Sequence, residues 1–148
     1  MRYLVPVGRL FFSLIFILAA PHHFTSADIG YAAAKGVPMA NVLVPISGVV
    51  AILGGLSILA GFQAKIGAWL IVVFLVPVTL LIHNFWADKD PSAVMMDQIM
   101  FFKNFSMLGG AIMIAYFGAG PCSIDDWLRR GKAAPRTGES GAGEQESK

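Results

Sequence analysis

Four stretches of almost unbroken apolar sequence constrain the fold of this chain more than any other feature. They cover residues 3–20, 42–60, 66–82 and 99–117. A helix needs about 20 apolar residues to cross a hydrocarbon core about 30 Å thick, and each stretch is close to that length. Only Arg9 and Lys103 carry charge within them. The sequence therefore predicts an all-α integral membrane protein built as a four-helix bundle.

The composition excludes an ordinary soluble domain. Charged residues make up 14% of the chain and hydrophobic residues 56%, whereas soluble domains carry about 25% charged residues. No basic stripe with interleaved aromatic residues is present, so a nucleic-acid partner is not expected. The single cysteine, Cys122, excludes both an internal disulfide and a metal or redox motif built from paired cysteines.

The first apolar stretch also has features of a secretory signal peptide. Arg2 precedes it and Ala20 ends it. The cleavage context is poor, because Leu18 occupies a position that favours a small residue and Pro21 would follow the cut. We interpret the stretch as an uncleaved first membrane-spanning helix.

The polar connections predict short interfacial helices. Ser26 is placed to cap a short helix that Gly36 would end in a left-handed conformation. Residues 87–98 have the composition of a polar loop. Ser123 is a second candidate cap, with Asp126 at the third helical position, and the sequence that follows suits an amphipathic surface helix.

The distribution of charge predicts the organisation and orientation of the chain. Residues 1–130 form the membrane domain, and residues 131–148, which are rich in Gly, Ser and Glu, are expected to be a disordered tail. Basic residues concentrate on one side of the four spans, at Arg2, Lys65, Arg129, Arg130, Lys132 and Arg136. The positive-inside rule therefore places both termini in the cytoplasm and the two longer loops outside.

Small residues recur at four-residue intervals on two of the predicted helices. They are Ser47, Ala51 and Gly55 in the second apolar stretch, and Ser106 and Gly110 in the fourth. Such stripes let helices approach closely. We favour packing surfaces over a pore lining, and the same stripes offer a way for two copies of the chain to associate.

Polar side chains gather at the predicted outer ends of the helices. They are His22, His23, His83, Asn84, Lys103 and Asn104. Imidazoles and a lysine near one interface suit a quinone headgroup, an anion or a metal. A metal or haem is the weaker alternative, because the adjacent His22 and His23 point about 100° apart on a helix. The remaining alternative is that these residues simply suit a membrane interface, and no metal ligands are assigned.

A candidate charge pair lies at the predicted inner ends. Arg9 is about two turns into the first helix, which runs outward, and the fourth helix returns inward toward Asp125. A buried guanidinium in a membrane needs a partner. We therefore interpret Arg9 and Asp125 as a structural ion pair, with Asp126 as the alternative acid.

Several of these motifs form a pattern seen in a known family. They are Arg9, the Gly36-Val37-Pro38 turn, Gly54-Gly55 with Gly61, His83, Phe102-Lys103-Asn104, Gly109-Gly110, and Gly118, Gly120 and Ser123-Ile124-Asp125. On these residues the chain resembles the DoxX family of small four-helix bacterial membrane proteins over nearly everything but its tail. The corner at Ala20-Pro21-His22-His23-Phe24 departs from the family, in which a glycine and a lysine are usual there.

The resemblance implies a place in the bacterial inner membrane, and it leaves the activity open. Some family members are partners of membrane oxidoreductases or small subunits in quinone-linked sulfur oxidation. The first hypothesis is thus an accessory or quinone-interacting subunit of a membrane redox system, with redox proteins as partners.

The alternative to a redox subunit is a non-catalytic scaffold or small-molecule binder that forms homo-oligomers in the bilayer. A small transporter comes third, since no helix repeats ionisable residues. We do not expect catalysis by the chain alone, because it shows no nucleophile–base pair and no cofactor motif.

Overall fold

The computed structural model describes residues 3–133, which fold into helices with no strand among them. The helices are α1 (Leu4–Ala19), a 3₁₀ turn (Ala20–Phe24), α2 (Ser26–Ala34), α3 (Ala40–Ala60), α4 (Ala64–Pro77) with a π-helical turn (Val78–Ile82), α5 (Pro91–Phe117) and α6 (Ile124–Ala133). Four segments are long and apolar enough to span a membrane, namely Leu4–Phe24, Ala40–Ala60, Ala64–Ile82 and Pro91–Phe117. The predicted all-α bundle with four spans is confirmed.

Two predicted boundaries differ from the structure. Helix α5 begins at Pro91, so residues from 91 onward are not the predicted loop. The Asp90 carboxylate accepts a hydrogen bond from the backbone N–H of Ala93 at 2.9 Å, and proline suits the first helical position. At the other end of the chain, α6 continues to Ala133, into the predicted tail. The rest of that tail, residues 134–148, lies outside the described residues.

The caps of the short helices follow the sequence with one shift. The cap of α2 is Thr25, whose hydroxyl accepts from the backbone N–H of Asp28 at 3.2 Å, so the prediction of Ser26 was one residue late. Gly36 is left-handed, with φ of +86°. The Ser123 hydroxyl accepts from the backbone N–H of Asp126 at 3.1 Å, as predicted.

Helix α3 lies at the centre of the bundle and packs against both α1 and α4, while α4 also packs against α5. Glycine makes the central contacts close. A Cβ added at Gly54 would lie 2.8 Å from Ile71 Cδ1 on α4, and one at Gly55 would lie 3.1 Å from Ile17 Cγ1 on α1. The glycines of α3 thus leave room for the large side chains of its two neighbours, so the three helices pack closely, as in other membrane bundles.

Large apolar side chains cover the outside of the bundle. Phe11 is 70% exposed, Leu53 55%, Trp69 58% and Phe105 61%. The core contains many smaller side chains, including Ala51, Ala68 and Ala111 beside Ile58, Ile71 and Leu75. Hydrocarbon rather than water must therefore surround the spanning helices. In a soluble protein, this much exposed apolar surface would be a site of association with another molecule.

Phe12 of α1 packs against Gly110 of α5, and Gly109 supplies a matched control. A Cβ at Gly110 would lie 2.8 Å from Phe12 Cε2, whereas nothing lies within 4 Å of one at Gly109. We expect Gly110→Leu to lower the stability by about 1–3 kcal/mol, because the leucine must displace the Phe12 ring. Gly109→Leu should unfold close to wild type. Thermal unfolding in detergent measures both, and equal midpoints would contradict this packing.

Candidate functional site

The bundle has two ends, and each holds a different polar arrangement. We call the end with the start of α1, the α3–α4 turn and residues 118–125 the terminal end. The end with the 3₁₀ turn, α2 and residues 83–90 is the loop end. Toward the loop end, the helices enclose a cavity of about 330 Å³, which is within the range of small-molecule sites.

The cavity has mostly apolar walls with a few polar side chains. Its apolar lining includes Ile15, Phe16, Val44, Phe74, Leu75 and Met107. Four of the six predicted site residues line it, namely His23, His83, Lys103 and Asn104. The other two do not belong to the lining: His22 is exposed and Asn84 is half-buried. Apolar walls with a few polar groups are typical of ligand pockets.

His23 is fixed in the wall by close packing. Its ring centroid lies 5.6 Å from that of Phe74, and a Cβ added at Gly48 would lie only 2.8 Å from His23 Cβ. Its Nδ1 atom is buried and has no hydrogen-bond partner among residues 3–133. A buried polar atom without a partner is costly, so a ligand in the cavity that bonds to this nitrogen would remove the cost.

Helix α5 brings an amide and an ammonium group to the same cavity. Asn104 is only 4% exposed and lines the cavity from within the bundle. Its neighbour Lys103 is on the exposed side, with Nζ 3.0 Å from Met100 Sδ. A lysine can extend its stem along apolar surface while its charge stays near water. Both groups donate hydrogen bonds, which suits a ligand with carbonyl or other acceptor oxygens.

A charged network behind the cavity was missed by the sequence analysis. Lys35 Nζ lies 2.8 Å from Asp88 Oδ1 and 2.6 Å from Asp97 Oδ2. Asp97 Oδ1 lies 3.1 Å from His83 Nδ1. We call these four residues the loop-end network. The hydrogen bonds that the Lys35 ammonium donates, first to Asp88 and second to Asp97 in order of effect, raise its pKa. The ammonium group therefore stays charged at neutral pH.

The loop-end network orients His83. An ionised carboxylate only accepts hydrogen bonds, so His83 Nδ1 donates to Asp97. The other ring nitrogen, Nε2, is then the acceptor that His83 can present to the cavity it lines. Asp97 and Asn104 are seven residues apart on α5, so they share one face of the helix. The cap signal at Asp90 and Pro91, read as a helix start, would have revealed this face.

At the terminal end, Arg9 and Asp125 do not form the predicted ion pair. The Arg9 guanidinium donates to the carbonyl oxygens of Ala119 at 3.0 Å and Cys122 at 2.7 Å. The Asp125 carboxylate instead accepts from the backbone N–H groups of Gln63 at 2.8 Å and Ala64 at 3.2 Å. The first amides of α4 need acceptors, and this need determines the position of Asp125.

The alternative acid also has other partners. Asp126 lies 2.8 Å from Arg130 within α6. Neither acid therefore makes a direct ion-pair contact with Arg9 in the part of the chain described, although the charge of Asp125 still acts on the guanidinium. We call the set of bonds from Arg9 to residues 119–122, and from Asp125 to residues 61–64, the terminal clasp. It joins α1, the α3–α4 turn and the start of α6.

Among residues 3–133, no group of three or more His, Cys, Asp or Glu side chains is placed to hold a metal ion. Of the adjacent histidines, His23 lines the cavity and His22 does not. The polar groups that line the cavity include imidazole, amide and ammonium groups. Such a set suits an organic ligand with acceptor oxygens.

Four apolar spanning helices, a terminal clasp and a cavity with a few polar groups define a small multi-pass membrane protein. The DoxX family model matches residues 4–84, which is more than half of the chain, and the chain belongs to the DoxX family.

Two curated relatives extend over most of the chain. Inner membrane protein YqjF of Escherichia coli (strain K12) is 30% identical over 128 residues, which cover 85% of this chain and 92% of YqjF. Inner membrane protein YphA of the same organism is 28% identical over 124 residues, which cover 82% of this chain and 88% of YphA. With its four spans, the chain is a multi-pass inner membrane protein. No solved structure matches it at a significant level.

Proposed function

We propose that this protein is an accessory, quinone-interacting subunit of a membrane redox system and that the loop-end cavity binds the quinone headgroup. The observation that carries the proposal is a cavity of about 330 Å³ with mostly apolar walls that is lined by His23, whose buried Nδ1 has no partner among the described residues. A ligand that bonds to this atom and fills apolar space satisfies both features of the site.

The chemistry of the walls fits a quinone. A quinone headgroup is a flat apolar ring whose carbonyl oxygens accept hydrogen bonds. The cavity supplies donors from Asn104 and Lys103 and an aromatic surface from Phe16 and Phe74. Asp28 also lines the cavity, and its negative charge disfavours an anionic ligand relative to a neutral one. The site thus favours a neutral carbonyl compound over an anion.

The orientation of the chain is part of the same proposal. Among the described residues, the terminal end carries Lys65, Arg129 and Arg130 without an equal number of acids nearby. The loop end instead has more acids than lysines, with Asp28, Asp88, Asp90 and Asp97 beside Lys35, Lys89 and Lys103. The positive-inside rule then places both termini in the cytoplasm. The headgroup cavity would face the outer half of the bilayer, where it could meet redox partners.

The test is direct binding of a quinone headgroup. We expect 2,3-dimethoxy-5-methyl-1,4-benzoquinone to bind the detergent-purified protein saturably in calorimetry. Asn104→Leu and His23→Phe should each weaken binding by about tenfold, because each removes a hydrogen bond worth roughly 1.5 kcal/mol in a buried site. His22→Phe is the matched control, since His22 is exposed and outside the lining.

The outcomes distinguish a ligand-binding site from polar residues that simply suit a membrane interface. Saturable binding that falls in the two cavity variants and persists in His22→Phe supports the proposal. Wild-type protein that binds no headgroup would overturn it, and so would equal affinity in all four proteins. The accessory role adds a readout in membranes: quinone-linked electron transfer should fall without the protein and recover with wild type but not with Asn104→Leu.

A further inference from the structure

A second, nearly apolar groove adjoins the headgroup cavity. Its volume is about 290 Å³, and it lies between α3 and the α4–π segment. Its own lining includes Leu43, Ile46 and Val50 from α3 and Val73, Pro77 and Leu81 from the other side. Leu43, Ile46 and Leu81 are 44%, 52% and 44% exposed, so the groove opens onto the hydrocarbon that surrounds the bundle.

The groove and the cavity share part of their walls. The shared residues are Val44, Ser47, Phe74, Val78 and Ile82. The one polar member, Ser47, donates its hydroxyl to the Val44 carbonyl of its own helix at 2.7 Å. Its one hydrogen-bond donor is thus used within α3, and the other four shared residues are apolar. The two volumes therefore adjoin. Polar donors line part of the cavity, whereas almost only apolar side chains line the groove.

The sequence explains why the helices leave space at this level. Helices α3 and α4 meet closely at Gly54 and Gly67, where a Cβ on Gly54 would lie 2.9 Å from the Gly67 carbonyl oxygen. Toward the loop end, larger side chains such as Ile46 and Leu81 replace the glycines. Pro77 also removes a backbone donor, and the chain continues as a π-helical turn, a feature that often occurs at functional sites.

We propose that this groove holds the apolar tail of the ligand whose headgroup occupies the cavity, and that the ligand enters sideways from the bilayer between α3 and α4. This inference rests on the proposed function and specifies its ligand as a quinone with an isoprenoid or alkyl tail. The tail stays in apolar surroundings along the whole path, so entry requires no transfer of apolar surface through water. Only the headgroup moves from the membrane–water interface to the polar wall of the cavity.

The experiment uses a tailed photoprobe on the full chain. The probe carries the same dimethoxy-methyl-benzoquinone headgroup and a decyl tail with a terminal diazirine. The protein is reconstituted in vesicles of phosphatidylethanolamine and phosphatidylglycerol, and labelled peptides are identified by mass spectrometry. We expect labelling on the groove-lining residues of α3 and α4, and we expect excess tail-less headgroup to compete it away.

Two neighbouring valines on α3 provide the variant and its control. Val50 lines the groove, whereas Val49 is 45% exposed and outside the lining. Val50→Trp should fill the groove and abolish its labelling while the tail-less headgroup still binds. Val49→Trp should leave both unchanged. Ile46→Trp is a second groove variant, used if the thermal midpoint shows that Val50→Trp does not fold.

Each result decides something different. Labelling of the groove that is lost in the groove variants and retained in Val49→Trp supports the inference. Labelling that is equal in these variants, or that falls on other lipid-facing residues, overturns the tail groove and leaves the headgroup site intact. Failure of the tail-less headgroup to bind the wild-type protein overturns the proposed function and this inference with it.

Discussion

Arg9→Met is expected to destabilise the bundle by about 3–5 kcal/mol, because it removes two hydrogen bonds from a buried charged donor. Arg9 is only 5% exposed, and its guanidinium holds the carbonyl oxygens of Ala119 and Cys122. Methionine fills similar volume but donates no hydrogen bond to either carbonyl. The free energy of unfolding, measured by titrating detergent-solubilised protein with sodium dodecyl sulfate, is the readout.

Two further variants separate charge from geometry in the terminal clasp. Arg9→Lys keeps the charge and loses the fork of donors that spans two carbonyls, so it should recover only part of the loss. Gly61→Ala acts from the opposite side: Gly61 has φ of +67°, and an added Cβ would overlap Arg9 Nη1 and Ser123 Cβ. It should resemble Arg9→Met, because the guanidinium must leave its site.

The control for the terminal clasp is Arg129→Met. The Arg129 side chain is 71% exposed and lies 4.0 Å from Asp126 within α6, so its removal should change the stability little. A loss in Arg9→Met no larger than in Arg129→Met would show that the clasp contributes nothing to stability. An unchanged Gly61→Ala would contradict the close approach of Arg9 to the α3–α4 turn.

The sequence predicted the spanning helices because their apolar length is a local property. The start of α5 was harder, since polar residues such as Asp97 and Gln98 precede its apolar part. The helix start was marked instead by Asp90 and Pro91, a capping signal of two residues. Length and composition alone were therefore insufficient to locate the start of α5.

The partners of Arg9 were beyond prediction for a different reason. The carbonyls that it binds belong to residues 118–122, where Gly118, Gly120 and Cys122 all have positive φ. No local pattern specifies where such a segment directs its oxygens. Asp125 looked like the natural partner by charge and depth, but the unpaired amides at the start of α4 bind it.

About half of the candidate site could be predicted from the sequence. Counting residues along the spanning helices predicted similar depths for His23, His83, Lys103 and Asn104, and these four residues line one cavity. The loop-end network joins Lys35 to Asp97, which are far apart in the chain. Their pairing depends on how α2 lies across the bundle, and no local signal in the sequence gives that placement.

Lys35→Met is expected to destabilise the loop end by about 3 kcal/mol, because it leaves the Asp88 and Asp97 carboxylates together without a cation. Their side chains are 18% and 7% exposed, so water screens them poorly. Lys89→Met is the control, since Lys89 is exposed in the same loop. Unfolding with sodium dodecyl sulfate again gives the free energy, and similar losses in both variants would contradict a stabilising network.

The pH dependence of this loss follows from the pKa of Lys35, which its carboxylate partners raise. A raised pKa means that the contribution is fully present below the unfolded value of about 10.4 and is lost only above it. The difference between wild type and Lys35→Met should therefore stay constant from about pH 7 to about pH 9. A difference that shrinks in this range would indicate that another group carries the effect.

A double variant tests whether the loop-end network also serves the headgroup site. Asp97→Leu removes the acceptor of His83 Nδ1, whereas Lys35→Met leaves the contact between His83 and Asp97 in place. The double variant Lys35→Met/Asp97→Leu should lose about 1–3 kcal/mol less than the sum of the single changes, since the two residues are in direct contact.

Headgroup binding should divide the variants differently. It should weaken in both proteins that carry Asp97→Leu, because the His83 ring that lines the cavity loses the contact that holds it in place, and persist in Lys35→Met. Equal binding in all three would limit the network to stabilising the fold.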